Sequence, residues 1–271
     1  MNKFKKNPQY LLFYCLYSLI LFVSVDIMLF IVKGGIDFNF SFEKTDVLFV
    51  LLPIFFCGLP SSIMHNCAHK NIKPLWLNNL LGEFCGLFMI YGFKGFALAH
   101  MFHHLHPDDP QMDPHPPQGK NFLKFVVSPI KSTLVVVERA YYGIYGKNEK
   151  TKRSILIQLV LFNLCLIART LFWFLLLGPK YFLIGYLPVY LANIFVFAHI
   201  NFAAHRERDD GQNEIININH NLYYKFVNVV SFGGYFHKTH HLKPGLFNPS
   251  KISVDESKQL LTYLSFNRTK L

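Results

Sequence analysis

Four long apolar runs constrain this chain most: residues 10–32, 47–64, 155–177 and 181–202. Each comes close to the roughly 20 residues that a helix needs to cross the hydrocarbon core of a bilayer. Inside hydrocarbon the backbone N–H and C=O groups must be satisfied within the segment, which makes such runs helices. Composition agrees, with 52% of residues hydrophobic and 16% charged, where a soluble domain carries about 25% charge. The expected fold is an all-α integral membrane protein, a single domain over residues 1–271, with four transmembrane helices. Lys3, Lys5 and Lys6 ahead of the first run imitate a secretory signal. That run is too long for a signal peptide, however, and no small-residue cleavage pattern follows it. Gly178-Pro179-Lys180 between the last two runs predicts a tight helical hairpin. Asp26 and Arg169 interrupt the first and third spans. Polar groups at that depth are often functional; a buried pair or a bundle-facing residue is the alternative.

Histidines supply the second pattern. His100-Met101-Phe102-His103-His104 and His237-Lys238-Thr239-His240-His241 each place imidazoles at i, i+3 and i+4. His65-Asn66-Cys67-Ala68-His69 places two at i and i+4, and Asn201 stands at the same spacing before His205. On a helix these positions share a face. Imidazoles so crowded resist being charged together and have few partners to share, and a divalent metal in front of them resolves both problems. Nine imidazoles and an amide exceed the four ligands of a zinc site. Divided between two ions, they give each four or five ligands and leave room for oxygen. No Glu-x-x-His of the soluble carboxylate di-iron bundles occurs, and neither HExxH nor Cys-x-x-Cys is present. The cysteines at 15, 57, 67, 85 and 165 read as buried reduced thiols. His106, His115, His199 and His220 read as structural or as partners that support the ligands. Pro107 and Pro244 should end the helices of the second and third boxes. Metal-bound histidines usually donate their other N–H to an acceptor, so Asp108, Asp109, Asp113, Glu207, Asp209 and Asp210 are candidates for that role. A solvated acidic loop is the plainer reading of each.

Charge and parity set the topology. With the N-terminus in the cytoplasm, 23 of the 27 Lys and Arg residues fall on the inner side, as positive-inside topology requires. Residues 78–99 are long enough to cross, yet they hold Glu83, Lys94 and four glycines. A single crossing there would put the first and second boxes in opposite compartments, so this stretch should lie in the interface or dip in and return. Residues 122–145, with Lys124, Lys131, Glu138 and Arg139, should lie along the membrane surface. Every box then meets in a cytoplasmic cap flanked by interfacial helices. The tail from residue 249 reads as polar, with a short helix at most.

The order HNCAH, HMFHH, NFAAH, HKTHH resembles the membrane fatty acid desaturase and hydroxylase superfamily over residues 45–245. The resemblance implies two Fe held by His65, His69, His100, His103, His104, His205, His237, His240 and His241, with Asn201 reaching one iron through water. It implies O2 as co-substrate, oxidation of an unactivated C–H bond in a lipid chain, fatty acyl desaturation first, and no catalytic side chain beyond the metal ligands. Three residues separate the histidines of the first box, where acyl-CoA desaturases have four. The shorter gap is similar to acyl-lipid desaturases, alkane hydroxylases and carotenoid ketolases. The run HHLHPDDPQMDP and the segment HKTHHLKP are similar to carotenoid-modifying members, so lipid or carotenoid hydroxylation and ketone formation stand as alternatives. No GxGxxG, cysteine cluster or HPGG motif supplies electrons, which implies a separate ferredoxin, rubredoxin or cytochrome b5 type donor. A multi-pass protein of a bacterial inner membrane, rather than of the endoplasmic reticulum, is expected. A metal transporter is the distant rival, and it would hold its ligands near the bilayer midplane.

Overall fold

The structure is a computed structural model that describes residues 6–38, 40–207, 211 and 213–252. Asp209, Asp210, Lys3, Lys5 and the tail beyond residue 252 lie outside the described residues. The first apolar run forms α1 (Tyr10–Lys33). The second was expected as one helix and is two, α2 (Asp46–Phe56) and α3 (Leu59–Ala68). The break has a local cause. Gly58 takes φ 79, a conformation that costs glycine little, and Pro60 opens the new helix, where no N–H is needed. A side chain at Gly58 would also stand 3.0 Å from Val196. Next come α4 (Leu75–Phe88), α5 (Phe93–Leu105), α6 (Phe122–Tyr145), α7 (Glu149–Tyr181) and α8 (Leu187–Ala204). Two short helices, α9 (Leu222–Val230) and α10 (His237–Leu242), follow.

Among the described residues, three stretches are long and apolar enough to cross a membrane, Tyr10–Lys33, Asp46–Ala68 and Glu149–Ala204, and a fourth is if the bent pair Leu75–Phe88 and Phe93–Leu105 counts as one span. The third folds back on itself. Gly178 has non-helical backbone angles, and the Trp173 and Tyr186 rings stack at 4.6 Å, although 13 residues of unbroken helix would hold them about 20 Å apart. The expected hairpin is therefore present. Lys180 at its turn reaches Asp46 at the start of α2, 2.7 Å away.

Side-chain contacts fix the directions of the helices. Cys165 donates to the Cys15 carbonyl, Arg169 to Ser18 (2.7 Å), and Phe172 meets Phe22. Partner numbers rise together, so α1 and α7 run parallel, with small residues where they approach closely, as membrane helix pairs require. By the same reasoning α2–α3 and α8 run parallel, since Asn193 donates to the Phe56 carbonyl and Val196 lies against Gly58. Arg169 also lies over the Phe22 ring at 5.1 Å. Asp26 is buried on α1, and neither carboxylate oxygen has a hydrogen-bond partner. The two residues face the bundle separately and do not form a pair.

Helices α4 and α5 meet at a bend of 96°, so residues 78–99 do not form one straight helix. Gly86 makes the bend possible, because a Cβ there would lie 2.9 Å from the Tyr91 carbonyl oxygen and 3.2 Å from the Phe93 nitrogen. Backbone cannot yield as a flexible side chain can. Gly86→Ala should destabilise the protein by about 1–3 kcal/mol, read as a lower Tm in detergent; an unchanged Tm would contradict the close approach. Leu11 at the start of α1 packs with Leu98 and Phe102 of α5 and Val136, Ala140 and Tyr141 of α6. The histidine-bearing end of α5 is thus the end at which α1 begins.

The chain is nearly all-α, with one departure from expectation: an antiparallel pair, β1 (His205–Glu207) and β2 (Asn213–Ile215), with His205 opposite Ile215. After α8 the sequence changes to an alternation in which Ile216 and Ile218 turn into an apolar cluster with Ile200 and Tyr235. That two-residue period favours extended chain.

Candidate metal centre

Four separate pieces of chain bring their histidines to one place. Box one ends α3, with His69 as its cap; box two ends α5; His205 follows α8; box three is α10. His69 Nε2 lies 2.8 Å from His100 Nε2, so the chain between them leaves the site and comes back to it. The nine imidazoles fall into two groups. One holds His65, His69, His100, His104 and His240, the other His103, His205, His237 and His241; within each group the ligand atoms lie within 4.8 Å of one another. The groups abut where His104 stacks on His241 at 4.3 Å.

Helix geometry explains the division. At about 100° per residue, positions i and i+4 diverge by about 40°, while i+3 points about 60° to the other side. His100 and His104 therefore enter one group and His103 the other. In box three, His237 and His241 stay together while His240 crosses over.

The nitrogen spacings fit ions. His100 Nε2 stands 3.1 Å from His104 Nε2, His104 Nε2 2.9 Å from His240 Nε2, and His241 Nε2 3.1 Å from His237 Nε2. Two nitrogens each about 2.1 Å from one ion, and at right angles, are about 3 Å apart. Hydrogen bonds alone do not satisfy this array, because each Nε2 has one in-plane lone pair or one N–H, and His100 and His104 each face two neighbours. Burial, and then the neighbouring His65 and His104, hold the His240 imidazolium well below its usual pKa, as burial and His241 do for His237. Burial brings His69 down to about 4. At neutral pH these rings are uncharged, the form in which imidazole binds metal.

Two of the proposed acids are in place. Asp113 accepts from His103 Nδ1 at 2.9 Å, and Asp108 from His205 Nδ1 at 2.9 Å. In both histidines Nε2 is buried without a hydrogen-bond partner, so the acid fixes which nitrogen is presented. Asp113 also accepts from the N–H groups of Asp108 and His115. Asp109 instead caps its own turn, accepting from Gln111 and Met112 N–H, and Glu207 is exposed on β1. His103, Asp113 and His115 make a third close group, but it shares His103, and Asp113 is already occupied in supporting that ring. His199 hydrogen-bonds Tyr235, His220 packs on Tyr224, and His106 caps α5.

Asn201 is buried at the end of α8. Its Nδ2 donates to the Phe197 carbonyl, while Oδ1 has no partner. It belongs to neither histidine group, but it lines a small cleft, with about 30 Å³ of water-accessible room, that is also walled by His65, Phe197, His237 and His240. The sequence reading missed the residues that hold the boxes in register. Asn217 donates to Thr239 Oγ1 and accepts from its N–H, fixing α10. Asn71 donates to Asn66 and to the carbonyls of Pro244 and Leu246, strapping box one to the chain beyond box three. Loop asparagines carry no local signal for such work. Pro107 and Pro244 do follow helix ends, at Leu105 and Leu242, and all five cysteines are free.

Residues 46–247 match the family model described as fatty acid desaturase. The match takes in about three quarters of the chain and every residue of both histidine groups, and it agrees with the resemblance drawn from the boxes. A comparison with curated proteins gave no match.

Proposed function

Because the chain belongs to the fatty acid desaturase family, a family of oxidoreductases, we propose that it oxidises an unactivated C–H bond of a lipid chain with O2, fatty acyl desaturation being the reaction. Two irons would be held, one by His65, His69, His100, His104 and His240, the other by His103, His205, His237 and His241. The observation that carries this reading is the convergence of the three boxes and His205 into one group of five imidazoles and one of four. The bound irons would supply the O2-activating chemistry that hydrogen removal from a methylene requires.

The chain's own residues supply placement. Asp113 and Asp108 orient His103 and His205. Asn201 Oδ1, otherwise unpartnered, suits a water-mediated approach to the metal. The cleft touches members of both groups and gives a methylene a place beside them, with Phe197 and its neighbours excluding water. Positioning of the chain decides between desaturation and hydroxylation. We further propose that the cluster faces the cytoplasm of a bacterial cell, capped there by the interfacial α6. On that face basic residues would steer an acidic ferredoxin, rubredoxin or cytochrome b5 type donor. The cluster lies at the bundle end where α1 begins, and a transporter site would sit nearer the middle.

Expression in a host with a simple lipid profile, alongside a competent donor, tests the reading by mass spectrometry of total lipid. A species lighter by two hydrogens is expected. A species heavier by one oxygen would make the enzyme a hydroxylase of the same family, an outcome with which the three-residue gap of box one is also compatible. No new lipid would contradict acyl oxidation.

A further inference from the structure

Helix α9 buries Val227 and Asn228 but presents Leu222, 84% exposed, Phe226, 46%, and Val229, 74%. These stand at i, i+4 and i+7, on one face. A stripe of that kind facing water is costly and usually marks a contact surface. Its depth shows what it faces. Tyr224 and Val227 share an apolar cluster with Val196, Ile200 and Ala203 of α8, and the Tyr223 and Tyr224 rings contact His199. The helix therefore lies level with roughly the last 12 Å of a candidate span, beside the bundle rather than beyond its end. Past α9 the chain enters the cleft wall. A Cβ on Gly58, at the break between α2 and α3, would lie 3.8 Å from that of Ser231. Phe232 is held at φ 54, and its ring pairs at 4.9 Å with exposed Phe247. Ser231, Phe232 and Phe247 line the same cleft as His65, His237 and His240.

We propose that α9 is embedded in the lipid leaflet, and that its end, with Phe232 and Phe247, forms a lip over which a membrane-resident acyl chain passes sideways into the cleft. The occupant is bilayer lipid rather than a chain on a soluble carrier, because the apolar face stands at the depth of the spans. Its only charged residue, Lys225, is exposed and suits an anionic headgroup. The inference rests on the proposed function for the fate of the chain, not for its binding.

Full-length protein in vesicles of phosphatidylcholine and phosphatidylglycerol, doped with a phospholipid bearing a diazirine on its acyl chain, tests this by irradiation and peptide mapping. Label is expected on α9 and on the segment from Phe232 to Phe247. In the Leu222→Gln/Phe226→Gln/Val229→Gln variant, labelling of that segment should fall about tenfold, with labelling of α1 unchanged. Label on α1 and α7 with none on α9 would overturn the proposal, as would cleft labelling indifferent to the triple substitution. Labelling needs neither metal nor turnover. A labelled cleft in a protein that oxidises no lipid would defeat the proposed reaction and leave this inference standing.

Discussion

His100→Ala protein, purified and loaded with ferrous iron, should retain about one iron per chain and lose lipid oxidation by at least about a thousandfold. His100, like His104, is shared between two neighbours of its group. Its Nε2 faces those of both His69 and His104, and the ring is buried, so no solvent molecule replaces it without rearrangement. The other four imidazoles of the group would be left with an open vertex, while the second group is untouched. The partial loss of metal is the informative part. Loss of both irons would mean that the two groups fold as one unit, and full retention of both would remove His100 from the site. The analogous change at His103 should spare the five-histidine group and empty the four-histidine one, which no single-site arrangement would produce.

Asp108→Asn and Asp113→Asn should each reduce iron affinity or activity by about 10- to 100-fold. Each acid accepts an N–H from a buried imidazole and thereby leaves Nε2 free to face the proposed metal. An asparagine can turn its NH2 toward Nδ1, which favours the opposite tautomer and takes the lone pair off Nε2. Asp113 should be the more sensitive, because it also gathers the N–H groups of Asp108 and His115 and so shapes the loop that carries both acids. The check is iron titration of each variant beside lipid turnover. A variant with unchanged affinity and activity would show that the loop's acids support folding alone.

The parts of this site written in local spacing were legible. Three boxes and the Asn201–His205 pair stand out because ligands one helical turn apart are neighbours in sequence and in space. The requirement that all boxes meet was enough to forbid a straight crossing by residues 78–99, and the 96° bend between α4 and α5 fulfils it. The division of ligands crosses the boxes, as His103 leaves His100 and His104, and His240 leaves His237 and His241. The helical repeat sets i+3 apart from i and i+4, but which ring of one box meets which of another depends on how α5 and α10 are rotated toward each other, which only tertiary packing sets. The break at Gly58 was read through because the run as a whole is apolar, although Gly58 and Pro60, followed by Ser61 and Ser62, mark it in the sequence. The β1–β2 pair was missed because three-residue strands give too short an alternation to notice. Asn71 and Asn217 act across 173 and 22 residues of sequence respectively, and nothing near them announces their partners. The apolar face of α9 escaped notice because its nine residues are far too few to span.

X-ray absorption at the iron edge, with iron quantified per chain on protein purified in detergent, bears most directly on the paired histidine groups as a di-iron centre. Two non-haem irons per chain are expected, each with a shell of four or five nitrogen or oxygen neighbours at about 2.1 Å dominated by imidazole. A single iron, a haem, or zinc filling both groups in active protein would contradict it.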